Sequence, residues 1–328
     1  MKNKLMIGII GALLFIVGAI LIAGYIKFNI KNDDIYIQTS SGNGVKYNDI
    51  IKIQTSIIPL ASLTNYIGGD FVEVKSIVPA GVSPHGFDIK PEQMIELQKA
   101  DVVIYLDLEH IDGFLNKALE NKDKLIVSEG IQLIQGDSHE HEEEENHNEE
   151  EHHEEETHSL DPHIWTSSIN ALVMAEKITK KLSELHPENK TYFENNLVSL
   201  REELKTIKDD FVATTQGKKV KEFIIFHDAY NYLFDELSID MTKKLVFQKT
   251  VLSDPNSAEM KELIDAIKVH KIKFAFKEPQ FNDSNLQKLA SEYNLTIDIL
   301  NPLGTDSSKN GYIQNYKDNL LKLQKIYE

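Results

Sequence analysis

VPAGVSPHGFDIKPEQMIELQKADVVIYL, residues 78–106, holds the reading that fixes the architecture. It ends in DVVIYL, where Asp101 leads into five apolar residues, three of them β-branched, without alternation, the pattern of a strand covered on both faces. Before them Pro91–Lys99 reads as a helix, with proline in the first turn, where its missing N–H is harmless. Outward from this block the same rhythm continues. Strand Ile50–Ile58, helix Pro59–Ile67 and strand Phe71–Val78 precede it; helix Ile111–Leu119 and strand Leu125–Ser128 follow. Strands alternating with helices predict an α/β fold with parallel sheets covered on both faces.

Further along, Ile169–Leu185 is an amphipathic helix that stops near Pro187. A second helical pattern runs from Glu188 to about Thr215, with Tyr192, Leu197, Leu200, Leu204, Ile207 and Phe211 at three- and four-residue steps, and closes at Gly217. The alternation then resumes with strands at Phe223–Phe226, Leu245–Phe247, Ile272–Phe276 and Leu295–Leu300. Helices at Ala229–Leu237, Ser257–Val269 and Ser284–Tyr293 lie between them. The expected organisation is an N-terminal α/β lobe over 49–187, a linking helix over 188–216 and a C-terminal α/β lobe over 217–328.

Ahead of the lobes, Leu5–Ile26 is an uncharged, mostly apolar run behind Lys2 and Lys4, long enough for one membrane-spanning helix. Residues 1–28 therefore read as a transmembrane anchor in preference to a cleaved signal segment, since Ala23-Gly24 makes only a weak cleavage site. With an anchor the body would sit at the cell membrane on the extracytoplasmic side; with cleavage it would be exported. Residues 29–48 are polar and read as a flexible linker around Ser40-Ser41-Gly42-Asn43-Gly44.

The chain has 328 residues, 52 acids, 35 Lys and Arg and no cysteine. Thiolate metal sites and disulfides are thereby excluded, so a metal must be held by nitrogen and oxygen. Twelve of the acids fall in DSHEHEEEENHNEEEHHEEETH, residues 137–158; without them the charge of −17 falls to −5, which gives nucleic acid no reason to bind. That stretch has nothing apolar to bury, so 137–159 reads as a disordered loop. Its six histidines (His139, His141, His147, His152, His153 and His158) make it a weak cation-gathering device, because imidazole suits first-row metals and the acids raise local cation concentration.

Three further histidines occupy distinctive places: His85 in SPHGFD, His163 in DPHIW and His227 at the end of FIIFH. In open parallel sheets ligands gather beyond the carboxyl ends of strands, where His85 and His227 are expected. Asp161 and Asp228 adjoin two of these residues and could hold imidazole N–H groups, or could serve a turn and a helix cap respectively; Glu278 follows a strand and could face the cleft. His110, His186 and His270 read as structural, and Trp165 as packing.

The chain resembles the cluster A substrate-binding proteins of metal-importing ABC transporters, the zinc-uptake type in particular. The blocks that carry the likeness are the opening stretch, EHIDGFL, DPHIW, LSELHPENKTYFENNLVSLREEL, FIIFHDAYNYLFDELSI, FKEPQFNDSNLQKLASEY and ILNPLG. The resemblance implies two (β/α) lobes with mainly parallel four-stranded sheets, joined by one long rigid helix, with the metal site in the cleft between them. It implies His85, His163 and His227 as zinc ligands, with His227 favouring Zn²⁺ over Mn²⁺. Asp306 and water stand level as the fourth ligand, ahead of Asn301. The implied function is capture of Zn²⁺ by a monomer for delivery to an ABC permease in the membrane. Rival readings are a zinc-dependent hydrolase, for which the sequence has no His-Glu-x-x-His, and a surface adhesin or metal buffer on the same fold.

Overall fold

The computed structural model describes residues 28–31, 34–38, 44–46, 50–136, 160–249 and 253–328. The apolar run 5–26 and the His/Glu-rich loop 137–159 lie outside these residues. Among the described residues no helix is long and apolar enough to cross a membrane.

The segment expected as a flexible linker contains strands instead. β1 (Phe28–Lys31), β2 (Asp34–Gln38) and β3 (Gly44–Lys46) form an antiparallel sheet in the order β1-β2-β3. Polar composition obscured the β-branched and aromatic residues Ile30, Ile35, Tyr36 and Ile37, which favour extended pairing.

The first lobe contains β4 (Ile51–Thr55), α1 (Ile58–Gly68), β5 (Val72–Ser76), α2 (Pro91–Lys99), β6 (Val102–Tyr105), α3 (Glu109–Asp112) and β7 (Lys124–Ile126). Its sheet order is β5-β4-β6-β7, with β6 parallel to both neighbours. Every residue of β6 is buried, as the unbroken apolar run requires. Val103 and Tyr105 pack with Ile77, Leu97, Leu115 and Leu119 into the core of this lobe. α2 starts at Pro91; the Gln93 side chain accepts from the Lys90 N–H at 2.9 Å and donates to the Ile77 carbonyl at 2.6 Å, which ties the helix to the end of β5. The helix expected over Ile111–Leu119 is shorter. It is α3 followed by a 3₁₀ turn, Gly113–Leu115. Gly113 weakens the helix, and the Asp112 carboxylate reaches back to the main chain preceding it, competing with a regular continuation.

Two long helices follow. α4 (Ser168–Leu185) is capped by Ser167, whose hydroxyl accepts from the Ile169 and Asn170 N–H groups. α5 (Lys190–Thr215) has 26 residues, or about 39 Å at 1.5 Å per residue, and buries Phe193, Leu200, Leu204, Phe211 and Thr215 along one side.

The second lobe contains β8 (Phe223–Ile225), α6 (Asn231–Glu236), β9 (Lys244–Val246), α7 (Ser257–His270), β10 (Phe274–Lys277), α8 (Ser284–Tyr293) and β11 (Thr296–Ile299). The order β11-β10-β8-β9 is parallel throughout. Ile224, Phe226, Phe247, Leu263, Ile267, Ala275, Leu286 and Leu289 form its core. The chain ends in a helix the sequence reading did not anticipate, α9 (Gly311–Leu323), which buries Tyr312, Ile313, Tyr316, Leu320 and Leu323.

α9 packs on both α5 and α1, so the lobes meet through more than the long helix. The Ser62 hydroxyl of α1 donates to the Ser308 carbonyl and accepts from the Tyr312 N–H, each at 2.7 Å. Glu236, with its side chain 1% exposed, accepts from Ser167 Oγ at 2.8 Å, the Ser168 N–H at 2.7 Å and Tyr316 Oη at 3.1 Å. Its charge sits at the N-terminus of α4, where the helix dipole favours an anion.

α1 ends at Gly69, whose φ of +53° lies where side chains are strained, and a Cβ there would meet Tyr192 Oη at 2.2 Å. Gly69→Ala is expected to lose about 2 kcal/mol of stability, read as a fall in thermal midpoint. Adding Tyr192→Phe should recover only part, because the backbone strain persists.

Candidate metal centre

Two strands deliver histidines beyond their carboxyl ends. β5 is extended by hydrogen bonds from the Ile77 and Val78 N–H groups to the Thr55 and Ser56 carbonyls, and the chain then turns through Pro84, His85 and Gly86. Gly86 takes φ +68°, a value open to glycine, and the reversal sets His85 above the sheet. His227 lies two residues past β8. His163 comes from neither sheet: it precedes a 3₁₀ turn, Ile164–Thr166, that leads into α4.

The three rings converge. His85 Nε2 and His163 Nε2 are 3.0 Å apart, and His227 Nε2 is 3.3 Å from His163 Nε2. The ring centroids are separated by 5.1, 5.1 and 5.8 Å. A tetrahedral zinc at roughly 2.0–2.1 Å from each nitrogen requires nitrogens about 3.3–3.4 Å apart. The three could therefore hold such an ion with shifts of a few tenths of an ångström.

The opposite edges of two rings are held by buried carboxylates. His163 Nδ1 meets Asp161 Oδ1 at 2.8 Å, and the same oxygen accepts the His163 N–H at 2.9 Å, so Asp161 makes the turn and holds the ring at once. His227 Nδ1 meets Glu278 Oε1 at 2.5 Å, while Gln280 Nε2 donates to Glu278 Oε2 at 2.7 Å. A neutral imidazole beside a carboxylate at Nδ1 keeps its proton there and turns the Nε2 lone pair outward. The His85 ring donates to the main chain of His110 instead. That contact gives His110 a backbone role at the site that its exposed side chain did not suggest.

Burial lowers the His85 pKa well below the ordinary value, and the neighbouring His163 and His227 add to the effect. Burial alone would lower His227 as well, but the charge and hydrogen bond of Glu278, with Asp228 and Asp161 behind, outweigh it and raise its pKa. His85 is thus neutral at neutral pH, and His227 holds a proton more readily than a free imidazole does.

Two expectations for site residues are corrected by the geometry. Asp306 is exposed and turned to its own loop, accepting from the Ser308 N–H and hydroxyl at 2.8 and 2.7 Å. Asn301 Oδ1 is occupied by the Leu303 and Gly304 N–H groups at 3.1 and 3.0 Å, which is how a short amide builds the NPLG turn. Neither belongs to the cluster. Asp228 pairs with Lys244 Nζ at 2.5 Å and accepts from Asn231 Nδ2 at 2.8 Å, and its charge bears on His227.

Trp165 packs edge-on to His163 with centroids 5.4 Å apart and donates its Nε1–H to the Pro302 carbonyl at 2.8 Å, joining the first-lobe side of the site to the NPLG turn. Phe281, which the sequence reading passed over, covers His227 at 5.3 Å. His186 and His270 lie elsewhere, beside Glu188 and Glu222. The six loop histidines lie outside the described residues.

The family model for the zinc-uptake complex component A, periplasmic, matches residues 53–326. The chain belongs to this family. It is 28% identical over 290 residues to the zinc-binding lipoprotein AdcA of Streptococcus pneumoniae, covering 84% of this chain and 55% of that protein. It is also 28% identical over 292 residues to the high-affinity zinc uptake system protein ZnuA of Bacillus subtilis, covering 86% and 89%. A crystal structure of ZnuA superposes with a TM-score of 0.72 at 26% identity, over 85% of this chain and 100% of that one. The chain thus spans about half of AdcA and most of ZnuA, and the two lobes with parallel four-stranded sheets fit the fold of this zinc-uptake family.

The short helix whose main chain meets the His85 ring depends on a buried acid. Asp112 accepts from the Leu106 and Leu108 N–H groups at 2.7 and 3.0 Å and anchors α3, which carries His110. Burial pushes its pKa up to about 6 against those two hydrogen bonds. A carboxyl raised on folding stabilises the protein fully below its unfolded value, and that contribution is lost as pH rises through the folded value. The stability difference between the parent and Asp112→Asn should therefore shrink by about 3 kcal/mol between roughly pH 4 and pH 6.5, measured by chemical denaturation.

Proposed function

We propose that the protein captures Zn²⁺ outside the cytoplasm with His85, His163 and His227 and passes it to an ABC permease. The observation that carries this reading is the convergence of three Nε2 atoms within 4.8 Å, drawn from two sheets and a connecting turn. Three neutral nitrogens with one further oxygen are a usual zinc set. The wall beyond the rings includes Pro84, Phe281, Pro302 and Leu303, which bring no side-chain donors. That wall also carries Ser83, whose Oγ accepts the His85 N–H at 3.2 Å, and Gln280, whose Nε2 donates to Glu278. With Asp306 and Asn301 turned to their own loops, water completes the shell in this proposal.

Capture is favoured over hydrolysis by the same geometry. A hydrolytic zinc site needs a general base free to take a proton from the metal-bound water. Asp161 and Glu278, the carboxylates nearest the rings, already accept imidazole N–H groups. The relatives named above are described by zinc binding and uptake.

The loop over 137–159 would gather Zn²⁺ weakly and hand it to the tight site, and an N-terminal anchor would keep the carrier near its permease, raising effective concentration. The lobes are fastened through α1, α4, α5 and α9, so release requires small displacements of the ligand-bearing turns and not a wide opening of the lobes.

Single replacement of His85, His163 or His227 by Ala should weaken Zn²⁺ binding by roughly a hundredfold or more, beyond the 10–100-fold typical of losing a ligand's partner, as read by chelator competition. Unchanged affinity in all three would remove the site. Deleting 138–158 should leave one tight site and abolish several weak ones in a calorimetric titration; loss of the tight one would move the site to the loop. Affinity should also decline as pH falls through the raised His227 pKa, because proton and metal compete for the same nitrogen. Titrations at stepped pH check the direction, which a rise in affinity on acidification would reverse.

A further inference from the structure

We propose that Asn231 and Lys244 are positioning residues for the metal centre, setting the His163 ring through Asp161 from the other lobe. This rests on the reading of the three histidines as a zinc site. Asp161 spends one oxygen on His163 and gives the other, Oδ2, to Asn231 Nδ2 at 3.1 Å. The same amide nitrogen donates to Asp228 Oδ2 at 2.8 Å, so both of its hydrogens are used. Lys244 Nζ donates to Asn231 Oδ1 at 2.6 Å and to Asp228 Oδ1 at 2.5 Å. All four side chains are buried: Asp161 is 2% exposed, Asn231 3% and Asp228 8%, and the Lys244 side chain 3%.

An amide can present either end to its surroundings, and here the ammonium decides. Lys244 has only donors, so Asn231 must turn its oxygen towards it and its NH₂ towards the two carboxylates. With Oδ2 so anchored, Asp161 cannot rotate away, and Oδ1 stays on the His163 ring. Asp161 enters the site ahead of α4, whereas Asn231 and Lys244 belong to α6 and β9 of the second lobe. The relay therefore sets one ligand from the lobe that supplies another.

The obvious rival is that Lys244 is simply the counter-ion of Asp228. The two roles predict opposite signs. Removing a buried positive charge close to a cation site would, by loss of Coulomb repulsion alone, tighten metal binding; loosening the relay weakens it.

The test measures Zn²⁺ affinity by chelator competition in the full-length parent, Asn231→Ala, Lys244→Met and the double variant. The imidazole N–H resonances of the metal-free proteins are recorded alongside. Both single variants should bind about 10–100-fold more weakly, the range for losing an outer partner of a metal ligand, and the double should be little worse than either single. The downfield Nδ1–H signal of His163 should broaden or vanish while that of His227 persists, which a general loss of stability would not produce. Asn231→Ala leaves the Lys244–Asp228 pair in place, so it decides the matter if Lys244→Met fails to fold. Unchanged or tighter binding with an intact His163 signal overturns the proposal. Failure of the parent itself to bind zinc would overturn the function proposed above, and the His163 signal would still judge the relay.

Discussion

Three imidazole nitrogens gathered within 4.8 Å of one another, His163 Nε2 lying 3.0 and 3.3 Å from the other two, repel unless something positive lies among them, and the rest of the site is arranged to keep them so gathered. Asp161 and Glu278 lock the Nδ1 protons on the far edges of two rings, leaving Nε2 as the only free nitrogen on each. The third ring, His85, is hydrogen-bonded to the main chain of His110. A proton relieves the crowding at one ring; a divalent cation relieves it at all three. The His85 pKa is depressed by burial, with the neighbouring imidazoles adding to it, and the His227 pKa is raised against burial by the carboxylates behind it. Three buried carboxylates and one buried ammonium also leave the surroundings two charges negative, which a doubly charged ion neutralises.

The preorganisation needs both lobes to stay in register. Trp165 reaches the Pro302 carbonyl, Glu236 gathers Ser167, Ser168 and Tyr316, and Ser62 joins Ser308 and Tyr312. Each of these contacts bridges chain segments more than sixty residues apart. A single helical spine would leave the lobes free to twist about its axis. Polar fastenings on several sides, each with its buried groups satisfied, remove that freedom.

Much of this architecture was legible because it is written in periodic patterns. The unbroken run DVVIYL announced a doubly covered strand, and it became β6, buried at every position. The helix Ser284–Tyr293 has the boundaries its periodicity predicts, and Asn294, in the left-handed conformation, stops it. Where local and distant demands conflict, the reading failed. Ile111–Leu119 has helical spacing, but the Asp112 side chain is bound to a strand end and breaks it early. The gathering of the three histidines was foreseen from turns and strand ends together with the family likeness. The partners were foreseen unevenly: Asp161 adjoins its histidine in sequence, and Glu278 was suspected only from its place after a strand. Nothing near Lys244 or Asn231 marks either as part of the site, because their significance lies in contacts across the fold. Asp306 misled for the reverse reason, being well placed in sequence and turned the wrong way in space.

The seat that α1 offers to the chain around Ser308 and Tyr312 has a temporal side. Ser62 and Tyr312 are 250 positions apart, so a ribosome must deliver nearly the whole polypeptide before that surface is covered. Until then the nascent first lobe presents an apolar helix to its surroundings, although all three clustered histidines precede the segment that covers it. Folding of the early half is thus held open by the late half, and a chain interrupted before its final helix would be left sticky.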